Sequence, residues 1–179
     1  EVRKQGLLQK DIVLGNTLVD MYAKCGAIEK AREVFEQLSS KDVVSWNVLI
    51  SGYTQHGLGK EALGCFKKMK EERVSPSVVT YICLLKACSS PLACENAKRI
   101  HAQAYTVGDF EAGFAMALLD IYSKYGSMVD AQYVFNVMPR KSLVAWNAFI
   151  AGNARIGQSD VVFLLFERMK YEGTRPNDI

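Results

Sequence analysis

"DVVSWNVLISGYTQHG", residues 42–57, returns 100 residues later as "SLVAWNAFIAGNARIG", residues 142–157. Val44/Val144, Trp46/Trp146, Asn47/Asn147, Ile50/Ile150, Gly52/Gly152 and Gly57/Gly157 all hold register. The same offset continues upstream through Leu18/Leu118, Tyr22/Tyr122, Gly26/Gly126 and Phe35/Phe135, and downstream through Phe66/Phe166, Met69/Met169 and Pro76/Pro176. Self-similarity on this scale points to stacked structural repeats, and the spacing of its apolar residues says what each repeat is made of.

Apolar residues recur at i, i+3, i+4 and i+7 in Trp46, Leu49, Ile50, Tyr53, in Tyr81, Leu84, Leu85, Cys88, and in Ala115, Leu118, Leu119, Tyr122. That period marks one face of an amphipathic helix. Gly26, Gly57, Gly126 and Gly157 follow, where a left-handed residue can end a helix and turn the chain. A second periodic segment comes next, as in Ala31, Val34, Phe35, Leu38 and in Ala131, Val134, Phe135, Met138. Proline at 76 and 176 closes the longer units, because it cannot continue a helix. Cutting at Ile12, Val43, Val78, Ala112 and Leu143 divides the chain into units 12–42, 43–77, 78–111, 112–142 and 143–177, of 31, 35, 34, 31 and 35 residues. Residues 1–11 are then the tail of a preceding unit, and 178–179 begin another. A single helical hairpin cannot bury its stripe, so neighbours must share a core. The predicted fold is all-α, a right-handed α-solenoid of helix-turn-helix repeats, with Trp46 and Trp146 turned to the interior.

The remaining composition narrows function mainly by exclusion. With 49% hydrophobic and 23% charged residues and a net charge of +3, the chain reads as a folded protein that would need local rather than bulk positive charge to meet an anion. No apolar run nears the roughly 18 residues of a membrane span. The five cysteines, Cys25, Cys65, Cys83, Cys88 and Cys94, form no Cys-x-x-Cys pair, and with His101 the last three lack the tight pairing of a zinc site. We expect reduced, mostly packed thiols, no metal and no cofactor. His101 falls where Phe35, Phe66 and Phe166 fall, so a packed ring is expected there. Glu stands first and no secretory or transit signal opens the sequence, which is expected of a trimmed piece. Walker loops, Gly-x-Ser-x-Gly elbows and isolated carboxylate pairs are lacking, and the chain is not expected to be an enzyme.

"VVSWNVLISGY", "EALGCFKKMKEERVSPS" and "NTLVDMYAKCGAIEKAREVFEQL" closely resemble the pentatricopeptide repeat family. Alternation of 31- and 35-residue units further resembles its plant subclass of long, normal and short repeats. Tetratricopeptide repeats place the leucine and glycine after the first aromatic residue differently. The resemblance implies sequence-specific binding of single-stranded RNA, one base per repeat. It implies that the fifth and last residues of a repeat meet the base edge while an apolar second residue sandwiches the base. Asn16 with Asp42, Asn47 with Ser77, and Asn147 with Asn177 then read bases, and Val13, Val44, Val79 and Val144 sandwich them. Ile82 with Glu111 and Met116 with Ser142 lack a competent pair, so their units read weakly or not at all. Asn16/Asp42 implies U, Asn47/Ser77 implies C and Asn147/Asn177 a pyrimidine, an expected target of 5′-U-C-N-N-pyrimidine-3′.

Lys24, Lys124 and Arg155 occupy one equivalent place near the ends of first helices and are the expected phosphate contacts. The family also implies a chloroplast or mitochondrial setting and a role in C-to-U editing or related RNA processing, with an editing deaminase domain or accessory editing factor as a further partner. The His-x-Glu and Cys-x-x-Cys elements of such a deaminase are not in this sequence, so that chemistry is expected in a separate domain. The alternative is a protein-interaction scaffold in which the asparagines read nothing.

Overall fold

The computed structural model describes residues 11–87, 93–105 and 112–176, with the side chains of Ala93, Cys94 and Tyr105 excepted. Glu111 and Asn177, both expected at base-reading places, lie outside the described residues, as does the tail 1–10. Among the described residues all regular structure is helical, and no helix is long and apolar enough to cross a membrane. The helices fall into two compact units, residues 1–89 and 90–179.

In the first unit, α1 (Ile12–Lys24) and α2 (Ile28–Gln37) form one hairpin and α3 (Val43–Gln55) and α4 (Gly59–Glu71) the next, with α5 (Val78–Ala87) packed on both α3 and α4. First helices stack on first helices, α1 on α3 and α3 on α5. Trp46 is the pivot of this stack. Its ring meets Phe35 edge-on at 4.8 Å and 68°, and Leu49, Ile50 and Tyr53 complete the buried stripe along α3. An aromatic side chain of this size removes about 150–250 Å2 from water, so its truncation would cost about 3–5 kcal/mol. Gly52 lets α3 approach α1 closely: a Cβ there would lie 2.8 Å from the Ala23 Cβ.

The second unit repeats the plan. Helix α6 (Ala93–Tyr105) packs on α7 (Ala112–Lys124), which pairs with α8 (Met128–Val137) and stacks on α9 (Leu143–Arg155), itself paired with α10 (Ser159–Tyr171). Phe135 sits against Trp146 at 4.7 Å and 74° and stacks on Phe149 at 4.6 Å and 17°. Both tryptophans point inward, as the periodicity predicts. His101 is likewise a packed ring, facing Phe114, Tyr122 and Tyr133 at 6.2–6.4 Å.

The hairpin turns explain the glycine spacing. At Gly26, φ is 78°, and the amides of Gly26 and Ala27 donate back to the carbonyls of Ala23 and Tyr22 at 3.0 and 2.9 Å. That pair of bonds is a Schellman closure, which requires a left-handed residue after the cap. Gly57, Gly126 and Gly157 have φ of 71–78°. The second helix α4 ends in the same pattern with Arg73 at φ 59°, where α10 uses Gly173 at φ 79°. The cysteines divide. Cys83 is buried and Cys65 half-buried, with burial pushing the Cys65 thiol up to about 11, whereas Cys25 is exposed beyond the end of α1; Cys88 and the side chain of Cys94 lie outside the described residues.

Candidate nucleic-acid interface

Among the described residues α1, α3, α5 and α9 are each entered through a capping side chain, Asp11, Asp42, Ser77 and Ser142, the last residues of the preceding repeat units. Asp42 accepts the Ser45 amide at 2.8 Å while the Asp42 amide donates to the Ser45 hydroxyl at 3.3 Å, a reciprocal box at the start of α3. Ser77 and Thr80 do the same for α5: the Thr80 amide donates to Ser77 Oγ at 3.4 Å and the Ser77 amide to Thr80 Oγ1 at 3.0 Å. Ser142 accepts the Ala145 amide at 3.2 Å and starts α9. Aspartate and serine suit this position because a short side-chain oxygen can satisfy an N–H that the first helical turn leaves unpaired.

The fifth residue of the preceding first helix comes to the same place. Asn47 Nδ2 donates to Ser77 Oγ at 3.1 Å although 30 residues separate them, and the Thr80 hydroxyl donates to Asn47 Oδ1 at 2.6 Å. The Asn16 side chain likewise hydrogen-bonds to the Asp42 carboxylate. The Asp42 carboxyl is held below its ordinary value first by the Ser45 amide, against a smaller opposing effect of burial, then by the Ser45 hydroxyl, the Val44 amide and the Asn16 side chain. Asp42 is therefore an anion at neutral pH.

Asn16 itself is only 8% exposed, more enclosed than a side chain projecting into solvent, and its Oδ1 has no hydrogen-bond partner. A buried, unsatisfied carbonyl costs about 1–3 kcal/mol. It lies in a pocket of about 340 Å3 lined by Val13, Asn16, Thr17 and Asp20 of α1 and by Asp42, Val44 and Val48. Val13 and Val44 thus flank the Asn16/Asp42 pair from two successive hairpins. Val13, Val44, Val79 and Val144 are 69, 50, 54 and 64% exposed, unusual for an aliphatic side chain in so regular a place. Each opens the first turn of its helix three residues before Asn16, Asn47, Ile82 or Asn147, on the same helical face. Ile82, Met116 and Asn147 are all half-buried, and Ser142 is occupied as a cap.

The three basic residues differ more than their alignment predicts. Lys24 pairs with Asp20 one turn back at 2.6 Å, an exposed contact worth at most a few tenths of a kcal/mol. The Lys124 ammonium lies 5.7 Å from the Tyr125 ring. Arg155 Nη1 donates to the Ser123 carbonyl at 3.0 Å, tying α9 to the end of α7. In the first unit that tie is made by His56, whose Nε2 meets the Ala23 carbonyl at 2.7 Å. Periodicity alone does not reveal this exchange, since Arg155 aligns with Gln55 and not with His56.

Thr80 and Ser45, which hold the ends of the two pairs, escape a sequence reading confined to the second, fifth and last residues. Their signature was legible as Asp-x-x-Ser at 42–45 and Ser-x-x-Thr at 77–80, a variant of the capping box.

Comparison with known proteins places the architecture. A PPR repeat family model matches residues 41–90, and a PPR repeat model matches 16–43, 116–143 and 144–174. The mitochondrial pentatricopeptide repeat-containing protein At3g24000 of Arabidopsis thaliana is 40% identical over 174 residues, 97% of this chain and 28% of that protein. The chloroplastic At1g08070 of the same plant is 42% identical over 167 residues, 92% of this chain and 22% of its own length. The chain thus spans about a quarter of the length of these relatives. Among solved structures, PPR10 in complex with an 18-nt psaJ RNA element superposes with a TM-score of 0.76 at 21% identity, covering 94% of this chain and 26% of PPR10. The PPR domain of Arabidopsis thaliana protein-only RNase P 1 in complex with tRNA gives 0.74 at 16% identity, covering 93% and 92%. With its repeats matched in sequence and its hairpins in three dimensions, the chain belongs to the pentatricopeptide repeat family.

Proposed function

We propose that this chain is a sequence-specific single-stranded RNA-binding module that reads one base per competent repeat. The observation that carries this reading is the pocket between Val13 and Val44 with Asn16 and Asp42 inside it. Two exposed apolar side chains at its rim can grip the faces of a flat base, and an amide with a carboxylate can meet its edge. The Asn47/Ser77 pair between Val44 and Val79 repeats the arrangement with a hydroxyl in place of the carboxylate. Asp42 offers only acceptors and suits the N3–H of uracil, whereas Ser77 can donate to N3 of cytosine. Asn147 with Asn177 supplies the third reading pair, and the target is 5′-U-C-N-N-pyrimidine-3′.

PPR10 and protein-only RNase P 1, whose folds this chain shares, were each solved with RNA, which supports the class of ligand. Relatives named as mitochondrial and chloroplastic support an organellar setting. Within it, the module directs C-to-U editing or related processing, the catalysis residing in a separate domain or factor. Lys24, Lys124 and Arg155 meet phosphates, Lys24 by exchanging its exposed bond to Asp20.

Fluorescence anisotropy with labelled 5′-UCAAC-3′ and the permuted 5′-CAUCA-3′ tests the proposal. We expect tighter binding of the first, and a fall of log affinity against log salt with slope about −2 if three phosphates are neutralised. Equal affinity for the two oligonucleotides at low salt would overturn it.

A further inference from the structure

In the second reading pair the amide has a fixed direction. Thr80 Oγ1 lies 2.6 Å from Asn47 Oδ1 and Ser77 Oγ lies 3.1 Å from Asn47 Nδ2. A separation of 2.6 Å is normal for O–H···O and shorter than N–H···O bonds ordinarily reach, whereas 3.1 Å is ordinary for N–H···O. The distances therefore place the carbonyl of Asn47 on Thr80 and its amino group on Ser77. Thr80 is wholly buried and begins the next helix, and its oxygen also accepts the Ser77 amide at 3.0 Å, so the anchor is built into the helix cap. Its single hydroxyl hydrogen is committed to Asn47.

We infer that Thr80 is a positioning residue for base selection, holding the Asn47 carbonyl inward so that the Asn47/Ser77 pair shows a base only donors. This rests on the base-reading function proposed above. With Oδ1 engaged, what remains for a ligand is the second N–H of Nδ2 and the Ser77 hydroxyl hydrogen, which a base acceptor would draw away from its 3.3 Å contact with the Thr80 oxygen. Two neighbouring donors complement the N3 and O2 acceptors of cytosine and meet the N3–H of uracil donor to donor. A freely flipping amide could instead turn its carbonyl to that N3–H. Serine as the last residue of a repeat is thus not enough to specify cytosine; the third residue of the following repeat sets the direction of the amide that works with it.

The first pair offers an internal contrast. Ser45 stands in the place of Thr80, but its hydroxyl donates to Asp42 Oδ1 at 2.9 Å, and Asn16 Oδ1 has no partner. There an acceptor is already displayed by the carboxylate and the amide is not anchored by the next repeat. The two arrangements differ in sequence at Asp42 against Ser77 and at Ser45 against Thr80, and the hydroxyl follows the last residue: a carboxylate captures it at 42, a serine leaves it for the asparagine at 77.

The test compares wild type, Thr80→Val and Thr80→Ser, each checked for helicity, in anisotropy titrations with 5′-UCAAC-3′ and 5′-UUAAC-3′. Valine keeps the branched shape and deletes the hydroxyl; serine keeps the hydroxyl. We expect the C-over-U ratio to fall about fivefold to tenfold in Thr80→Val, the worth of one hydrogen bond, and to survive in Thr80→Ser. In parallel, the Asn47 side-chain NH2 signals in 15N-edited NMR spectra of the RNA-free protein should exchange faster with water in Thr80→Val alone. A folded Thr80→Val variant that keeps the wild-type ratio, or that leaves the Asn47 exchange rate unchanged, overturns the inference while leaving base reading intact. Absence of any C preference in the wild type would instead defeat the base-reading proposal, and this inference with it.

Discussion

Replacing Ser77 by Asp should convert the second reading pair into a copy of the first. The fold has already made the experiment at position 42, where an aspartate caps α3 through the Ser45 amide at 2.8 Å and takes the Ser45 hydroxyl at 2.9 Å. Asp at 77 finds the Thr80 amide and hydroxyl in the same places. Aspartate and serine are near-equal caps, so the stability of α5 should change by less than about 0.5 kcal/mol. Recognition changes more. A donor to N3 of cytosine is lost and an acceptor for N3–H of uracil is gained. At the low end of the range for a base contact, about 1 kcal/mol each, the swing is about 2 kcal/mol, or about thirtyfold in the C-to-U affinity ratio. Anisotropy titrations of wild type and Ser77→Asp against 5′-UCAAC-3′ and 5′-UUAAC-3′ at about 50 mM salt read this ratio directly, with circular dichroism as the control for folding. A folded variant whose ratio moves less than twofold would refute the reasoning, because it would mean that the residue at 77 caps a helix and does nothing else.

Other consequences follow from single residues. Asp42→Ser should retain stability within about 0.5 kcal/mol and Asp42→Ala should lose about 1 kcal/mol in urea unfolding, because only the first keeps an oxygen on the Ser45 amide. His56→Ala should cost about 1 kcal/mol by the same measurement through the lost bond to the Ala23 carbonyl. Arg73→Gly should raise stability by about 0.5–1 kcal/mol, the strain of a left-handed arginine less the added freedom of glycine in the unfolded chain, as Gly173 already shows at the equivalent turn. Burial lowers the His101 pKa below its ordinary 6.5, with Asp130 opposing more weakly. The unfolded chain therefore takes up this proton first, and stability present above about pH 6.5 is lost as pH falls below it. Urea midpoints between pH 7.5 and 5.5 should show that loss in the wild type and less of it in His101→Phe.

Periodicity made the helices legible because each first helix buries a stripe whose spacing is fixed by geometry. Trp46 and Trp146 fall inward for that reason, and so does the ring of His101 at a phenylalanine place. Glycines at 26, 57, 126 and 157 announced left-handed turns because few other residues tolerate them, while Arg73 hid the same turn behind an ordinary side chain. The site was less transparent. Val13, Val44, Val79 and Val144 belong to none of the periodic stripes; the resemblance assigned them the sandwiching place, and the fold leaves them exposed. Nor could spacing reveal that Asn16 is enclosed, that Arg155 is tied to a backbone carbonyl, or that Thr80 touches Asn47, since each depends on which hairpin packs against which. Contacts between residues 30 or more apart are set by the stack and not by the local pattern.

Capping and the proposed base reading fall on the same atoms, and this constrains what such a repeat can become. At Asp42, Ser77 and Ser142 the last residue of a unit presents a short oxygen to the first turn of the next helix, a place that favours the good N-caps, asparagine, aspartate, serine and threonine, whereas the sequence has Glu at 111. Those same residues span the useful hydrogen-bonding choices: acceptor only, donor with acceptor, or an amide carrying both. A change among them alters what a base would meet while leaving the helix start satisfied, so recognition can vary without a penalty in folding. Change at the fifth residue is less protected. Asn47 is bonded to two residues at the start of α5, Ser77 and Thr80, and replacing it orphans the Thr80 hydroxyl inside the stack. Ile82 and Met116, both half-buried, put an apolar side chain at that fifth place and so have no amide whose loss would orphan a neighbouring hydroxyl.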